Sequence, residues 1–93
     1  MATKTFKIGE YAKGGIIRVK TTEKLITIDV INMFDTSEII DSHQEVINEQ
    51  HLINCDALER RLNNFLHNIT TSYYSGKIMN WLKDKTKIKF FWT

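Results

Sequence analysis

Three side chains that can bind a metal or transfer protons occur at alternate positions, in the pattern Asp41-x-His43-x-Glu45. Alternate residues of a β-strand lie on one face, so a strand here would place two carboxylates and an imidazole side by side. His51 and Cys55 follow four residues apart, and imidazole and thiolate are transition-metal ligands. The spacing matches no established metal motif, so we predict no metal site and no cofactor. A small metal-dependent hydrolase using Asp41, His43 or Glu45 is kept as an alternative.

Cys55 is the only cysteine, and it is a poor candidate for a nucleophile. A catalytic thiol needs an adjacent base and an orienting third group. His51 and His67 supply the residue type without a supporting pattern, whereas a cysteine beside Leu52 and Ile53 is typical of a small buried hydrophobe. The sequence also lacks the glycine-rich phosphate loops and the zinc-binding histidine pair. We therefore predict no catalytic residues and expect that the protein is not an enzyme.

The motif Lys87-x-Lys89 with Phe91 would place two cations and a ring on one face of a strand near the chain end. Single-stranded nucleic acids are bound by cations on the phosphates and by rings that stack on the bases. The first strands could supply further cations to this face. The candidate nucleic-acid site, our alternative function, therefore comprises Lys7, Arg18, Lys20, Lys87, Lys89 and Phe91.

Charged residues are segregated along the chain, although the formal net charge is only +2. Residues 1–27 carry six bases and two acids, a net charge of +4. Residues 28–59 carry eight acids and no Lys or Arg, and residues 60–93 carry seven bases and one acid. A polarised surface would guide a charged partner. Folding the acidic segment against the basic ones would instead neutralise the charges locally.

Aromatic residues are dense in the last 21 residues of the chain. Tyr74 and Trp81 fit an apolar helix stripe, while Tyr73 and Phe91 should point away from the core. Exposed aromatic side chains are good anchors for a protein partner, and the acids of residues 28–59 would guide its approach. An exposed strand edge could also form a homodimer by strand addition. The candidate partner-binding residues are Tyr73, Phe91, Glu38, Asp41, Glu45 and Glu49.

Alternating polar and apolar residues predict strands in the first half of the chain. The predicted strands are Thr5–Ile8, Ile16–Lys20, Leu25–Met33 and Glu38–Val46. Gly14-Gly15 predicts a turn or bulge, and Asp35-Thr36-Ser37 a turn, because these short polar side chains hydrogen-bond their own backbone. The positions predicted to face the core are Ile17, Val19, Ile26, Ile28 and Val30.

Apolar residues recur at helical spacing in the second half. One helix carries the stripe Leu58, Leu62, Phe65, Leu66 and Ile69. The next carries Tyr74, Ile78, Trp81 and Leu82. Asp56 and Glu59 predict a capping box for the first helix, and residues 70–72 offer caps for the second. Residues 87–92 alternate again and predict a last strand.

The element order β-β-β-β-α-α-β predicts an α+β fold. We expect an antiparallel sheet of four to five strands with two helices packed on one face, in a single domain over residues 1–93. The chain start lacks the apolar run of a secretion signal, and no stretch reaches the ~20 apolar residues of a membrane span. These features predict a cytoplasmic location and no membrane partner.

The function that these patterns favour is a small non-catalytic binding module whose partner is a protein rather than a nucleic acid. Proline is absent while Ile, Asn, Lys and Thr are plentiful, which is typical of an AT-rich genome. A phage- or mobile-element-encoded inhibitor of a host defence or nuclease complex is the specific form of this hypothesis.

Overall fold

The computed structural model describes residues 1–50 and 55–88. Four strands form one antiparallel sheet in the order β1-β2-β3-β4. They are β1 (Ala2–Lys7), β2 (Gly15–Thr21), β3 (Leu25–Asn32) and β4 (Asp35–Val46), with a short 3-10 helix at Gly9–Tyr11. Helices α1 (Asp56–Ile69) and α2 (Ser72–Lys85) follow. The predicted α+β class and the order β-β-β-β-α-α are confirmed, while most of the predicted last strand lies outside the described residues.

One face of the sheet forms the floor of the core. Residues directly opposite each other in an antiparallel pair share a face, and Ile17 lies opposite Val30 as Val19 lies opposite Ile28. These four side chains are fully buried. Full burial of one such side chain contributes about 1.5–3 kcal/mol. The alternation in the sequence therefore predicted the buried face of β2 and β3 correctly.

Both helices cover this same face. The buried apolar residues of α1 belong to one cluster with the sheet residues and with Ile78 and Leu82 of α2. Phe65, Tyr74 and Trp81 pack against that cluster while partly buried. Both predicted helix stripes are thus confirmed.

The helix starts differ in how well the sequence predicted them. The Thr71 side chain caps α2 by accepting from the backbone N–H of Tyr74, as predicted. The predicted capping box of α1 is wrong, because Asp56 is already the first helical residue and the cap position is held by Cys55. A thiol is a weak acceptor, and Cys55 makes no side-chain cap hydrogen bond.

The connection between β3 and β4 also differs from the prediction. The chain reverses at Met33 and Phe34, so that Asn32 pairs with Asp35. The predicted local hydrogen bonds at Asp35 do form, since its Oδ1 accepts from the backbone N–H and the hydroxyl of Ser37 at 3.1 and 2.6 Å. These hydrogen bonds lie in a bulge of β4 and not in the turn itself. The next paired residue of β4 is Ile39, so residues 36–38 have no opposite residue in β3.

Several connections meet at one end of the sheet. The register brings the end of β1, the start of β2, the end of β3 and the start of β4 together. The end of α1 joins them, because the Thr70 hydroxyl donates to the carbonyl of Tyr11 at 2.6 Å. The backbone N–H of Lys13 donates to the carbonyl of Ile69 at 2.7 Å. We call this region the hairpin end.

Candidate protein-interaction surface

Exposed apolar side chains are concentrated at the hairpin end. Among the described residues, eight large hydrophobic side chains are exposed, and Met1 and Val46 are the two that lie elsewhere. Phe34 is 90% exposed and Tyr73 is 65% exposed. Exposed apolar residues gathered in one region mark interaction sites more often than residues scattered singly. We define the hairpin-end surface as Tyr11, Met33, Phe34, Ile39, Ile40 and Tyr73.

Residues 33–40, which we call the finger, form the longest run of exposed residues in this surface. All eight residues are exposed. Four of them are apolar, two are acids and none is a base. The bulge lengthens β4 relative to β3 and so displaces this segment from the regular ladder.

Both acids of the finger are exposed. Hydrogen bonds from the hydroxyl and the backbone N–H of Ser37 lower the pKa of Asp35 below its ordinary value of 3.8. Glu38 accepts a long hydrogen bond of 3.5 Å from the Asn32 side-chain amide. Asp41, just beyond the finger, lies 3.7 Å from the ammonium of Lys13. In the described part of the chain, neither Asp35 nor Glu38 forms an ion pair with a Lys or Arg side chain.

Three tyrosines form a continuous aromatic cluster at the same end of the molecule. The ring of Tyr74 lies 6.0 Å from that of Tyr11 and 5.1 Å from that of Tyr73. The Lys77 ammonium lies 4.8 Å from the centre of the Tyr73 ring. Hydrogen bonding to Tyr73 raises the pKa of Lys77. Tyr73 is therefore exposed, as predicted, but held in place by its neighbours.

The Asp41, His43 and Glu45 side chains share one face of β4, as their spacing predicted, but they lie opposite core residues of β3 on the helix side. The Glu45 carboxylate is buried and accepts two hydrogen bonds of 2.9 Å from Arg61 of α1. It also accepts one of 2.7 Å from Nε2 of His43, whose ring stacks on Phe65.

This arrangement ties β4 to α1. Burial raises the pKa of the Glu45 carboxyl, but hydrogen bonds from Arg61 and His43 outweigh it, so the pKa lies below the ordinary value of 4.5. Because the Glu45 carboxylate is engaged inside the molecule, it is not part of the interaction surface.

Within residues 1–50 and 55–88 no group of three or more His, Cys, Asp or Glu side chains is arranged to hold a metal ion. Cys55 is buried, and His51 lies outside the described residues.

The cations of the predicted nucleic-acid site are only partly brought together. The register places Lys7, Arg18 and Lys20 on the helix-free face of the sheet. There, the buried Asp29 carboxylate accepts from Arg18 at 3.0 Å and lies 4.0 Å from the Lys20 ammonium. The paired positions of this face carry no aromatic residue in the described strands. Lys87 is exposed, while Lys89 and Phe91 lie outside the described residues.

Glu49, another predicted partner-binding residue, lies away from the hairpin end. It lines a cavity of about 710 Å³ near the start of β1 and the end of α2, together with Thr21, Lys24 and Lys87. The predicted acidic surface is therefore divided: Glu38 and Asp41 lie at the hairpin end, and Glu49 lies at the other.

Sequence reasoning missed most of the hairpin-end surface. Tyr11, Met33, Phe34, Ile39 and Ile40 were not among the predicted partner-binding residues. One signal was present, since Met33-Phe34 lies directly before a polar segment and two large apolar residues there cannot both face the core.

Comparisons with protein-family models, with curated proteins and with solved structures found no match. None of the described helices is both long and apolar enough to cross a membrane.

Proposed function

We propose that this chain is a binding module that acts by protein–protein interaction, with the hairpin-end surface as its contact surface. The observation that carries the proposal is the gathering of six of the eight exposed large hydrophobic residues at one end of the described molecule. Separate segments of the chain contribute them: the loop after β1, the β3–β4 hairpin and the start of α2.

The composition of this surface suits a protein partner. Interface cores are enriched in aromatic residues and Met and depleted of charge, while polar groups lie around them. Phe34 and Tyr73 would be the anchors, because truncating a buried aromatic residue removes more binding free energy than most other changes. In this proposal the module works by occupying a surface of its partner rather than by catalysis. Inhibition of a host defence or nuclease complex by a phage or mobile-element protein is the specific form we retain.

Capture experiments with matched variants test this proposal. The tagged chain, Phe34→Ser and Val46→Ser would each be used as bait in native lysate of cells that encode or host the protein. Val46 is the control, because it is also an exposed apolar residue of the β3–β4 hairpin but lies at the other end of β4. We expect a protein retained by the wild type and Val46→Ser and reduced roughly tenfold or more with Phe34→Ser. Equal capture by all three baits, or no specific capture, would contradict the proposal.

The nucleic-acid alternative keeps one supporting observation, which is the placement of Lys7, Arg18 and Lys20 on one helix-free sheet face. Arg18 and Lys20 already share the Asp29 carboxylate, and that carboxylate also accepts from the Ser42 hydroxyl at 2.7 Å. Since part of the positive charge on this face is neutralised, we rank this function second.

A further inference from the structure

We infer that the finger binds an extended, positively charged segment of the partner protein that also carries an apolar side chain. This inference rests on the proposed function and specifies the chemistry of the partner. Two properties of residues 33–40 support it: all eight residues are exposed, and their composition is four apolar residues and two acids without a base.

The negative charge of the finger is not compensated by the described part of the chain. Other acids of the middle segment have cations of their own: Arg18 and Lys20 contact Asp29, Lys13 contacts Asp41, and Arg61 contacts Glu45. Among the described residues, the carboxylates of Asp35 and Glu38 have only neutral hydrogen-bond donors, from Ser37 and Asn32. A positively charged partner segment would supply the missing cations, and complementary charge favours encounter and register.

The position of the finger in the sheet favours an extended partner. Within the described part of the chain, β4 is the last strand in the sheet order, and residues 36–38 have no opposite residue in β3. An edge strand is a template for pairing with a segment of another chain. A segment lying along the start of β4 would bring its cations near Asp35 and Glu38 and its apolar side chain near Phe34.

A second copy of this chain fits the finger poorly. Strands that pair lie about 4.8 Å apart, and like charges placed opposite each other are destabilising. Two paired fingers would bring four carboxylates together without any lysine or arginine of their own. The same acids thus disfavour self-pairing and favour a basic segment.

Selection of peptides on the full chain tests the inference without a known partner. The probe is a phage-displayed library of random dodecapeptides, selected on the immobilised wild-type protein. Affinities of synthetic copies of the enriched peptides would then be measured for the wild type and two double variants. The first is Asp35→Asn with Glu38→Gln. The matched control is Glu23→Gln with Glu49→Gln, which removes two exposed acids away from the hairpin end.

We expect the enriched peptides to be rich in Lys and Arg and to contain an apolar residue. Their affinity should fall about threefold to thirtyfold for the finger variant, as for the loss of two exposed ion pairs, and remain unchanged for the control. Thermal unfolding of both variants at the wild-type temperature would establish that the fold is intact.

Other results would overturn the inference. Peptides without basic enrichment, peptides that bind the finger variant as tightly as the wild type, or no enrichment at all would each do so. The proposed function has a separate readout in the same assay. If the selected peptides lose affinity for Phe34→Ser or Tyr73→Ser but not for the finger variant, the hairpin-end surface stands as a protein-binding site and only the basic-segment inference fails. If no variant at the hairpin end changes their affinity, both fail.

Discussion

Glu45 joins β4 to α1 through its hydrogen bonds with Arg61. The residue is 8% exposed, and its carboxylate accepts hydrogen bonds from Arg61 and His43. Such a group is stabilising only while its partners remain, because a buried polar group without partners loses its hydration without replacement. The same residue types that suggested a hydrolase thus act here as a connection between two layers of the fold.

We expect Glu45→Gln to lower the free energy of unfolding by about 1–3 kcal/mol at pH 7, as for the loss of buried hydrogen bonds to a charged group. Glu38→Gln is the control, since it makes the same change on the exposed finger and should stay within about 0.5 kcal/mol of the wild type. Urea denaturation followed by circular dichroism measures both. Equal destabilisation by the two substitutions would show that the hydrogen bonds of Glu45 with Arg61 and His43 do not stabilise the fold.

The stabilities of the wild type and of Glu45→Gln should depend differently on pH in the acid range. The pKa of Glu45 is lowered in the folded state from its ordinary value of 4.5, so the unfolded chain binds more protons in the acid range. The stability that ionised Glu45 contributes is therefore present above pH 4.5 and is lost as the pH falls through the folded-state pKa. The difference in unfolding free energy between the wild type and Glu45→Gln should shrink over that range, and a difference independent of pH would contradict this assignment.

At the scale of elements, the β1–β2 connection and the β3–β4 hairpin are packed together through Gly14. Gly14 has φ of +75°, a conformation that residues with a Cβ rarely adopt. A Cβ at this position would lie 2.6 Å from Cδ1 of Ile40 and 2.8 Å from the carbonyl oxygen of Ile31. The Ile40 side chain can move, but the backbone of β3 cannot move without disturbing the sheet.

We expect Gly14→Ala to destabilise the fold by about 2–4 kcal/mol, combining the left-handed backbone conformation with the steric contact. Gly9→Ala isolates the first contribution, because Gly9 has φ of +67° and no atom within 4 Å of the added Cβ. Its cost should be only about 1–2 kcal/mol. Thermal or urea unfolding gives both values, and amide chemical shifts of residues 31–40 should move only for Gly14→Ala. Equal losses of unfolding free energy for the two variants would mean that the structure accommodates a Cβ at position 14 near Ile31 without a further loss of stability.

At the scale of the whole molecule, charge segregation along the chain is partly cancelled in space. Three acids of residues 28–59 meet cations from the flanking basic segments, namely Asp29, Asp41 and Glu45. The contact between Glu45 and Arg61 joins the sheet to α1, and the contacts of Asp29 with Arg18 and Lys20 reduce the positive charge that a nucleic acid would meet at the helix-free face. In the described part of the chain, the acids of the finger remain without a Lys or Arg partner.

We therefore expect no saturable binding to short DNA or RNA, single- or double-stranded, in fluorescence anisotropy at low salt. Neutralisation of several phosphates would give the opposite result, micromolar binding that weakens steeply as the salt concentration rises. If such binding were observed and were abolished by Lys7→Glu with Lys20→Glu, the nucleic-acid alternative would replace the protein-binding proposal. Thr3→Glu with Thr5→Glu, which introduces two glutamates on the same face of the sheet but keeps both lysines, would show whether the lysines themselves are required.

Much of the fold could be predicted from the sequence because the direction of a side chain follows from local periodicity. Alternation in β2 and β3 identified Ile17, Val19, Ile28 and Val30 as core residues, and the helical stripe identified Leu58, Leu62 and Leu66. Each of these assignments needs only the period of 2 or 3.6 residues, which the chain carries in every short segment.

The location of the β3–β4 reversal could not be predicted in the same way. Asp35 and Ser37 form the local hydrogen bonds typical of a turn, and those bonds are compatible with either a reversal or a bulge. Pairing of Ile31 with Ile39 and of Asn32 with Asp35 decided between them. That pairing follows from the register of β3 against β4 along the whole hairpin, as far as Leu25 opposite Val46, and it leaves Phe34 exposed at the tip.

The sequence by itself determined the class of fold, the order of its elements and the faces that are buried. Only the tertiary structure decided which exposed residues lie together, because Tyr11, Phe34 and Tyr73 belong to segments separated by more than twenty residues each. It also decided that Glu45 pairs with Arg61 on α1, whereas Glu38 meets no cation in the described chain. Local periodicity fixes the side to which a residue points, but strand register and helix docking fix its neighbours.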